Sequence, residues 1–494
     1  MTNGVTPRLF NSLGRTPIDF RPAVPGRVTI YSCGPTVYSD PHLGNMRPYV
    51  FSDTLRRLFE WKGLEVVQAV NITDVGHMVG DTDLGEDKVE LAARQQDRSV
   101  WEVTRHYTDR YFADLAELNV LPHTHSPRAS DYVPQMIDFI KVLEERGFTY
   151  QVESGVYFDT GRSKDYGLLA LKALDSESDV ARLEIVPGKR SRADFAVWRG
   201  ERREQQRLVH WDSPWGPGVP GWHLECSVMS RQLLGDVFDI HTGGVDHREI
   251  HHVNEIAQST AFLDVQHARD WVPLWMHNEF MLFGQQKMAK SRGRMPVLRD
   301  VIDAGHHPLV FRYFLLNAHY RSQMDISDDG LRSASAALRR LLGRVAPLRP
   351  LPAPATFAAA CAALTTEAGR TALRQVDAAV SDDLNTPRVL AELNGVLRDD
   401  ALADTDKAIV VAAVDVLLGL RLSTLSPDDL TAKGELSISE DLINELVAAR
   451  TAARGAGDWA QADRIRAQLT ELGVRVVDTP AGPRWEPVAA DPQH

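Results

Sequence analysis

Residues 27–73, RVTIYSCGPTVYSDPHLGNMRPYVFSDTLRRLFEWKGLEVVQAVNIT, decide the fold class of this chain. The stretch begins with the β-rich run RVTIYSC and ends with a second β-rich run, LEVVQAVNIT. Between the two runs, apolar residues recur at the spacing of an amphipathic helix, namely Val50, Leu55, Leu58 and Phe59. A strand, a helix and a strand in this order predict a βαβ unit of a parallel nucleotide-binding sheet, and therefore an α/β fold.

The rest of the chain predicts several further units. Residues 151–220 change in character and predict an inserted subdomain of mixed structure. VFDIHTGG, at 237–244, predicts another strand that ends in a glycine turn, and HREIHHVNEIAQSTAFL, at 247–263, predicts one helix. Four prolines between 345 and 356 predict a stiff linker, which is followed by helical patterns to about 421 and a last small unit from about 440.

Charge and composition restrict the class of protein. The 494 residues carry a formal net charge of −12, which argues against a partner held by an overall basic surface. A nucleic-acid partner would need local basic patches, for which arginines at 339–344 and 450–466 are candidates; solvated helix faces are the alternative. Three cysteines do not make a disulfide framework, and neither an apolar leader nor an apolar run of ~20 residues is present. We therefore expect a cytoplasmic protein with no membrane partner.

Four residues have the chemistry of a metal site. His251 and Glu255 are spaced i, i+4, which places both on one face of a helix. Cys33 ends a predicted strand, and Cys226 lies in the segment GWHLECS. Two thiolates, one imidazole and one carboxylate would complete a tetrahedral zinc site. The alternative is that each cysteine is a small core residue and that the His–Glu pair lies on a helix surface.

Two short motifs have the chemistry of a phosphate site. PHLGN, at 41–45, follows the first strand and opens the helix, where free N–H groups attract phosphate and where His42 and Asn45 add side-chain donors. KMAKS, at 287–291, carries Lys287 and Lys290, which could neutralise a departing pyrophosphate. A capped polar loop and a basic surface loop are the respective alternatives.

The order and context of these motifs resemble those of the class I aminoacyl-tRNA synthetases, and closely those of the cysteinyl-tRNA synthetase family. HLGN resembles the HIGH signature and KMAKS resembles KMSKS. Strings similar to those of the cysteine family extend over nearly the whole chain: CGPTVY at 33–38, GWHLECS at 221–227, DIHTGGVDH at 239–247, HHVNEIAQS at 251–259, RYFLLNAHYRSQ at 312–323 and DDLNTPRVL at 382–390.

The resemblance implies a role for each of these motifs. Its zinc ligands correspond to Cys33, Cys226, His251 and Glu255, with one zinc per chain. Its cysteine pocket corresponds to Gly34, Thr73 and Trp222 beside His251. Its catalytic and ATP-binding positions correspond to His42, Asn45, Lys287 and Lys290 for the phosphates and to Gly243, Gly244 and Asp246 for adenosine.

The resemblance also implies a reaction and a division of the chain. We expect a monomer that activates L-cysteine with ATP and Mg²⁺ and transfers it from cysteinyl-adenylate to the 3′-terminal ribose of tRNA(Cys), with zinc selecting the thiol. A class I Rossmann-like catalytic domain would occupy 1–150 and 221–285, interrupted by the inserted subdomain at 151–220. The KMAKS loop and a stem-contact region would occupy 286–345, a helical tRNA-binding bundle 346–425, and an anticodon-recognition unit 440–494. In that last unit, Trp459 and Trp485 are candidates for base stacking, with helix core as the alternative for Trp459.

The chain departs from the family pattern at three places. Asn45 stands at the last HIGH position, and Val253 interrupts the usual HHENE string. About ten residues are inserted between Gly76 and Glu86, within a segment that otherwise resembles NITDVDDK. Two alternatives remain: a ligase that joins cysteine to an amino-sugar, which would not need the helical tail, and a non-catalytic relative, which would be expected to lose the KMAKS lysines or a zinc ligand.

Overall fold

The computed structural model describes residues 4–81, 85–170, 186–201, 207–283, 294–430, 440–472, 474–479 and 482–487. The strands are β1 Arg8–Asn11, β2 Thr16–Asp19, β3 Arg27–Ser32, β4 Glu65–Val70, β5 Thr149–Val152, β6 Gly155–Phe158, β7 Phe195–Gly200, β8 Gly218–Pro220, β9 Ile240–Gly244, β10 Leu274–Asn278, β11 Met281–Leu282, β12 Met324–Asp325, β13 Val474–Thr479 and β14 Gly482–Pro487. The α-helices are α1 Leu43–Trp61, α2 Lys88–Gln96, α3 Val100–Glu117, α4 Val133–Glu145, α5 Trp222–Leu234, α6 Val245–Glu249, α7 His251–Leu263, α8 Leu298–Asp303, α9 Pro308–Leu316, α10 Asp328–Val345, α11 Phe357–Ala363, α12 Glu367–Ser381, α13 Thr386–Arg398, α14 Asp404–Leu418, α15 Glu440–Gly455 and α16 Trp459–Glu471.

The predicted parallel sheet is confirmed. Its strands are ordered β10-β9-β3-β4, and every neighbouring pair is parallel. Val28 and Ile30 of β3 enter one apolar core, whereas Tyr31 and the adjoining Cys33 enter another. Successive side chains of a strand point to opposite faces, so the sheet is buried on both sides, as parallel sheets usually are. Helix α1 contributes to the first core and α5 to the second.

The inserted subdomain is an antiparallel sheet in the order β5-β6-β7-β8. Its last strand leads directly to α5, because Gly221 follows Pro220 and serves as the N-cap of that helix. A Cβ at Gly221 would lie 2.0 Å from the backbone oxygen of Ala196, so the close approach of the chain to β7 requires glycine here. The insertion therefore fixes where α5 begins.

The prediction of one helix over 247–263 is wrong. The segment forms the end of α6 and all of α7, and the break is Ile250, whose φ of −132° and ψ of −59° are not helical. Ile250 is apolar, but it is 47% exposed and contributes nothing to the helix face that is buried. The consequence is that His251 becomes the first residue of a new helix, which directs His251 and Glu255 into the protein.

The helices from α10 to α14 share their apolar core with the parallel sheet. Leu393 of α13 and Val410 of α14 belong to the same apolar core as Leu55 of α1 and Ile30 of β3. The terminal unit differs, since α15, α16 and the β13–β14 hairpin enclose their own core around Ile443. Within the described ranges, no helix is both long and apolar enough to cross a membrane.

Candidate functional site

A cleft of about 450 Å³ opens at the carboxyl ends of β3, β4 and β9. In open parallel sheets this is the edge at which ligands bind, beyond the ends of neighbouring strands. Its lining combines segments that are far apart in the chain, including CGPTVY, PHLGN and the start of α5. Most of the residues selected from the sequence therefore meet in one cavity.

The four predicted metal ligands lie together: Cys33, Cys226 and His251 line this cleft, and Glu255 is fully buried beside them. Cys33 follows β3, Cys226 lies one turn into α5, and His251 and Glu255 belong to the first turns of α7. One ligand atom from each of the four lies within 4.8 Å of the others, and all four side chains are buried. His251 Nε2 is 3.4 Å from Cys226 Sγ and 3.1 Å from Glu255 Oε1.

The electrostatics of these four residues fit a cation. Burial raises the pKa of Cys33 to about 11 and that of Cys226 well above its usual range, so both thiols keep their protons unless a cation compensates. Burial also raises the pKa of Glu255, but neighbouring imidazoles, His251 among them, outweigh it and lower the value to about 2. The buried Oε1 of this carboxylate lies 3.1 Å from His251 Nε2, but within the described residues no donor reaches it with good hydrogen-bond geometry. Two sulfurs, one imidazole nitrogen and one carboxylate oxygen suit zinc.

Two further histidines were not selected from the sequence. His241 and His252 form a second possible ligand set with Cys33 and Glu255, again within 4.8 Å. His252 Nε2 is 3.1 Å from Cys33 Sγ, and His241 Nε2 is 2.9 Å from Glu255 Oε2. On its other side, His252 Nδ1 lies 2.8 Å from His277 Nε2. Such contacts behind a metal site orient its ligands; the signals in the sequence were the HTGG turn and the doubled histidine of HHVNE.

The predicted amino-acid pocket adjoins the metal residues. A Cβ at Gly34 would lie 1.6 Å from the backbone oxygen of Asn71, so β3 and β4 approach here at a distance that only glycine permits. Thr73 is almost fully buried and donates its hydroxyl proton to Glu225 Oε2 at 2.7 Å. Trp222, the first residue of α5, is half-buried. All three selected residues line the cleft.

The predicted phosphate residues form the first turn of α1. His42 is the N-cap, and its Nδ1 accepts a hydrogen bond from the Asn45 backbone at 3.3 Å, while Asn45 Oδ1 accepts one from the His42 backbone at 3.2 Å. Burial lowers the pKa of His42, against the opposing effect of Asp246, so the imidazole is neutral near pH 7. The asparagine at the last HIGH position thus completes a capping box at the end of a helix that faces the cleft.

The predicted adenosine residues divide between the cleft and the core. Gly244 and Asp246 line the cleft. Gly243 lies in β9 and backs onto a metal-site residue, since a Cβ there would lie 2.8 Å from His252 Cε1. Glycine at 243 therefore lets β9 approach α7, and its assignment to adenosine stays a prediction.

The KMAKS lysines, Lys287 and Lys290, lie outside the described residues. The segments on either side reach the cleft, because Phe283 and Met295 both line it. The ring of Phe283 meets His42 edge-on, with centroids 6.1 Å apart.

A histidine that lines the cleft, His77, was also not selected from the sequence. His77 lies in the insertion between Gly76 and Glu86 and lines the cleft together with Lys88. The departure from the family string was the signal for it, although the sequence did not reveal which inserted side chain reaches the cavity.

The two tryptophans of the terminal unit differ in environment. Trp459 is 61% exposed, so it is not the helix-core residue that was the alternative. Trp485 packs against the core around Ile443 and donates its indole proton to Asn444 Oδ1 at 2.9 Å. Of the two, Trp459 is the one whose ring is accessible to a nucleic-acid base.

Known proteins resemble the chain over nearly its full length. Residues 19–336 match the family described as "tRNA synthetases class I (C) catalytic domain", and residues 440–485 match the "Cysteinyl-tRNA ligase anticodon binding domain". The cysteine–tRNA ligase of Zymomonas mobilis is 42% identical and that of Novosphingobium aromaticivorans 45% identical, with 97% of each chain covered in both cases. The cysteine–tRNA ligase of Thermus thermophilus is 40% identical over 97% of this chain and 98% of its own.

A solved structure shares the fold. The methionyl-tRNA synthetase of Mycobacterium tuberculosis in complex with methionyl-adenylate superposes with a TM-score of 0.51. The alignment covers 84% of this chain and 95% of that structure at 14% identity. At this identity the similarity shows the class I fold alone.

Proposed function

The chain belongs to the cysteine–tRNA ligase family of class I tRNA synthetases, and from this premise we propose that its cleft activates L-cysteine with ATP and transfers it to tRNA(Cys). The observation that carries the proposal is the convergence of Cys33, Cys226, His251 and Glu255 within 4.8 Å of one another. Three of them, Cys33, Cys226 and His251, line a cleft that also contains the N-terminus of α1, so an amino-acid site and a phosphate site share one cavity.

We assign these four side chains to one zinc ion per chain. When bound, zinc supplies a soft Lewis acid that favours a thiolate over the much less acidic hydroxyl of serine, which differs from cysteine by a single atom. Gly34, Thr73 and Trp222 bound the adjoining space and hold the rest of the amino acid. This assignment explains discrimination in one step, since shape alone is worth only ~1–3 kcal/mol for a difference as small as one methylene.

The nucleotide half of the cleft provides position and charge. The cysteine carboxylate attacks the α-phosphate of ATP and releases pyrophosphate, and the ribose hydroxyl of tRNA then attacks the adenylate carbonyl and releases AMP. In this assignment His42 and Asn45 present the end of α1 to the phosphates, Gly244 and Asp246 face the adenosine, and the KMAKS lysines neutralise pyrophosphate together with Mg²⁺.

We assign tRNA reading to the helices after about 345 and to the unit from 440. The exposed ring of Trp459 supports base stacking there, because unpaired bases are recognised on aromatic faces. The same unit favours tRNA over an amino-sugar as the acceptor, since a small acceptor needs no anticodon-binding domain. We further expect the protein to act as a monomer in the cytoplasm.

The test is cysteine-dependent exchange of pyrophosphate into ATP, followed by charging of tRNA(Cys), with serine as the matched competitor. We expect exchange with cysteine, little with serine, and about one zinc per chain by metal analysis. If metal-free protein preferred cysteine over serine to the same degree, the zinc assignment would be wrong. Exchange without charging of tRNA(Cys), combined with transfer to an amino-sugar, would favour the alternative ligase.

A further inference from the structure

We propose that His77, which the insertion between Gly76 and Glu86 brings into the cleft, is a positioning residue that holds the Trp222 indole against the metal site and so determines the affinity for cysteine. This inference rests on the proposed function, since it concerns the amino-acid side of that cleft. It assigns a role to a segment whose departure from the family string the reaction itself does not explain.

Neighbouring side chains among the described residues hold the imidazole of His77. Its ring stacks on the indole of Trp222, with centroids 4.0 Å apart and planes 11° from parallel. Its Nδ1 lies 2.6 Å from Thr36 Oγ1, and its Nε2 lies 2.7 Å from Lys88 Nζ. The side chain is buried although it belongs to the wall of a cavity. Two hydrogen bonds and one stacked neighbour leave the ring a single orientation.

These hydrogen bonds also select the tautomer. An ammonium group has only donors, so His77 Nε2 accepts from Lys88, and the neutral ring carries its proton on Nδ1. That proton is donated to Thr36 Oγ1, which leaves the Thr36 hydroxyl to donate its own proton to another acceptor. Thr36 lines the same cleft, so polar groups of a bound amino acid can take this bond.

The backbone around His77 is anchored on both sides. Gly76 has a φ of 81°, donates its N–H to Asp87 Oδ2 at 2.7 Å and accepts from Arg199 at 3.0 Å. The backbone N–H of Lys88 donates to the carbonyl oxygen of His77 at 2.9 Å. A Cβ at Gly76 would lie 2.7 Å from the backbone oxygen of Pro220, so glycine is required where the inserted segment begins. The insertion therefore leaves and rejoins the fold at fixed points, and His77 occupies the position between them.

Trp222 connects His77 to the metal residues. Its far neighbour is His251, whose ring centroid is 4.3 Å from that of Trp222. The same helix, α5, carries Cys226 one turn after Trp222. The indole thus lies between His77 and a metal-site imidazole, and a loose indole would widen the space in which the amino acid is held.

The test compares three substitutions of one side chain. His77→Ala removes both the ring and the hydrogen bonds, His77→Phe keeps a ring to stack on Trp222, and His77→Gln keeps polar atoms without a ring. His210→Ala is the matched control, because His210 is an exposed histidine away from the cleft lining. Each full-length protein is assayed by pyrophosphate exchange for the KM of cysteine and the KM of ATP, and by metal analysis for zinc content.

We expect His77→Ala to raise the KM for cysteine about three- to tenfold, the size of one lost aromatic contact, with the KM for ATP and the zinc content unchanged. His77→Phe should recover most of this loss, and His77→Gln should recover little. The inference would be overturned by any of three results. The first is an unchanged KM for cysteine in His77→Ala, and the second is recovery of that KM by glutamine but not by phenylalanine. The third is a parallel rise in the KM values for cysteine and ATP together with loss of zinc. Should His77→Ala not fold, the phenylalanine and glutamine variants decide between the same outcomes. If the unsubstituted protein shows no cysteine-dependent exchange, the proposed function fails, and this inference falls with it.

Discussion

Substitution of Asp53 by asparagine should destabilise the protein strongly, because one buried carboxylate joins the sheet helix α1 to the helices that follow the catalytic region. Asp53 accepts hydrogen bonds from Arg57 Nε at 2.7 Å, from an Nη atom of Arg312 and from the backbone of Leu121 at 2.8 Å. Arg312 is fully buried and also donates to the carbonyl oxygen of Leu418, the last residue of α14. Asp53→Asn removes the negative charge that both guanidinium groups share.

The magnitude follows from burial. Removing one partner of a buried ion pair costs about 3–5 kcal/mol, because the remaining charge is left uncompensated. Both arginines keep backbone carbonyl acceptors, and asparagine retains an oxygen for the Leu121 N–H, so we expect the lower end, about 3 kcal/mol. For a chain of 494 residues, with an unfolding entropy of about 2.1 cal/mol/K per residue, each kcal/mol shifts the Tm by roughly 1 °C, so the Tm should fall by about 3 °C. Glu60→Gln is the matched control: it breaks an i, i+4 pair with Arg56 on the same helix, but that pair is partly exposed and worth under about 1 kcal/mol.

The dependence on pH gives a second check on the same substitution. Burial raises the pKa of Asp53, but Arg312 and Arg57 outweigh burial and hold it below its usual range. The stabilisation is therefore complete above the ordinary aspartate pKa of about 3.9 and is lost as the pH falls through the lower folded-state pKa. Thermal unfolding of both variants is measured from pH 7 to pH 3. The difference in Tm from the parent protein should be constant down to about pH 4 and should narrow only below that pH. If Asp53→Asn lowered the Tm no more than Glu60→Gln does at pH 7, the argument from the buried pair would be refuted.

The remaining predictions concern the reaction. Cys226→Ser and His251→Ala should lower zinc content and reduce cysteine activation far more than ATP binding. Cys361→Ser, a cysteine outside the cluster, should change neither zinc content nor cysteine activation. Retention of zinc by both ligand variants would show that Cys226 and His251 are not zinc ligands. Lys290→Ala should slow adenylate formation by about 10²–10³ in pre-steady-state measurements, through loss of a positioned cation, and an unchanged rate would exclude Lys290 from the site. A chain that ends after Leu430 should keep pyrophosphate exchange and lose most tRNA charging, because the terminal unit has its own core; full charging by that chain would contradict the assignment of anticodon reading to this unit. A chain cut near 345 would instead expose the core that the later helices share with α1 and should not fold.

Local pattern was sufficient for the main elements and for the chemistry of single motifs. The β-rich run RVTIYS and the helical spacing from Val50 to Phe59 depend on neighbours a few residues away, and the predicted βαβ unit is confirmed. The pairing of His251 with Glu255 follows in the same way from a separation of four residues on one helix. The chemistry of Cys33 and Cys226 offered them as partners of that pair, and the family resemblance favoured this interpretation over that of two small core residues. The boundary expected at about 345 and the individual site assignments stay predictions.

Only the tertiary structure decided what meets across the cleft. Cys33 and His252 are 219 positions apart, and their contact at 3.1 Å exists because β3 and β9 are neighbours in the sheet. The break at Ile250 shows the same limit, since its non-helical backbone separates α6 from α7 within a local sequence that favours one helix. His77 is the clearest case. The insertion is visible in the sequence, but the stacking of His77 on a tryptophan 145 positions later depends on where two loops leave the sheet. Periodicity reports the surroundings of a residue along the chain, whereas a site is made by contacts through space, and the order of the strands determines those contacts.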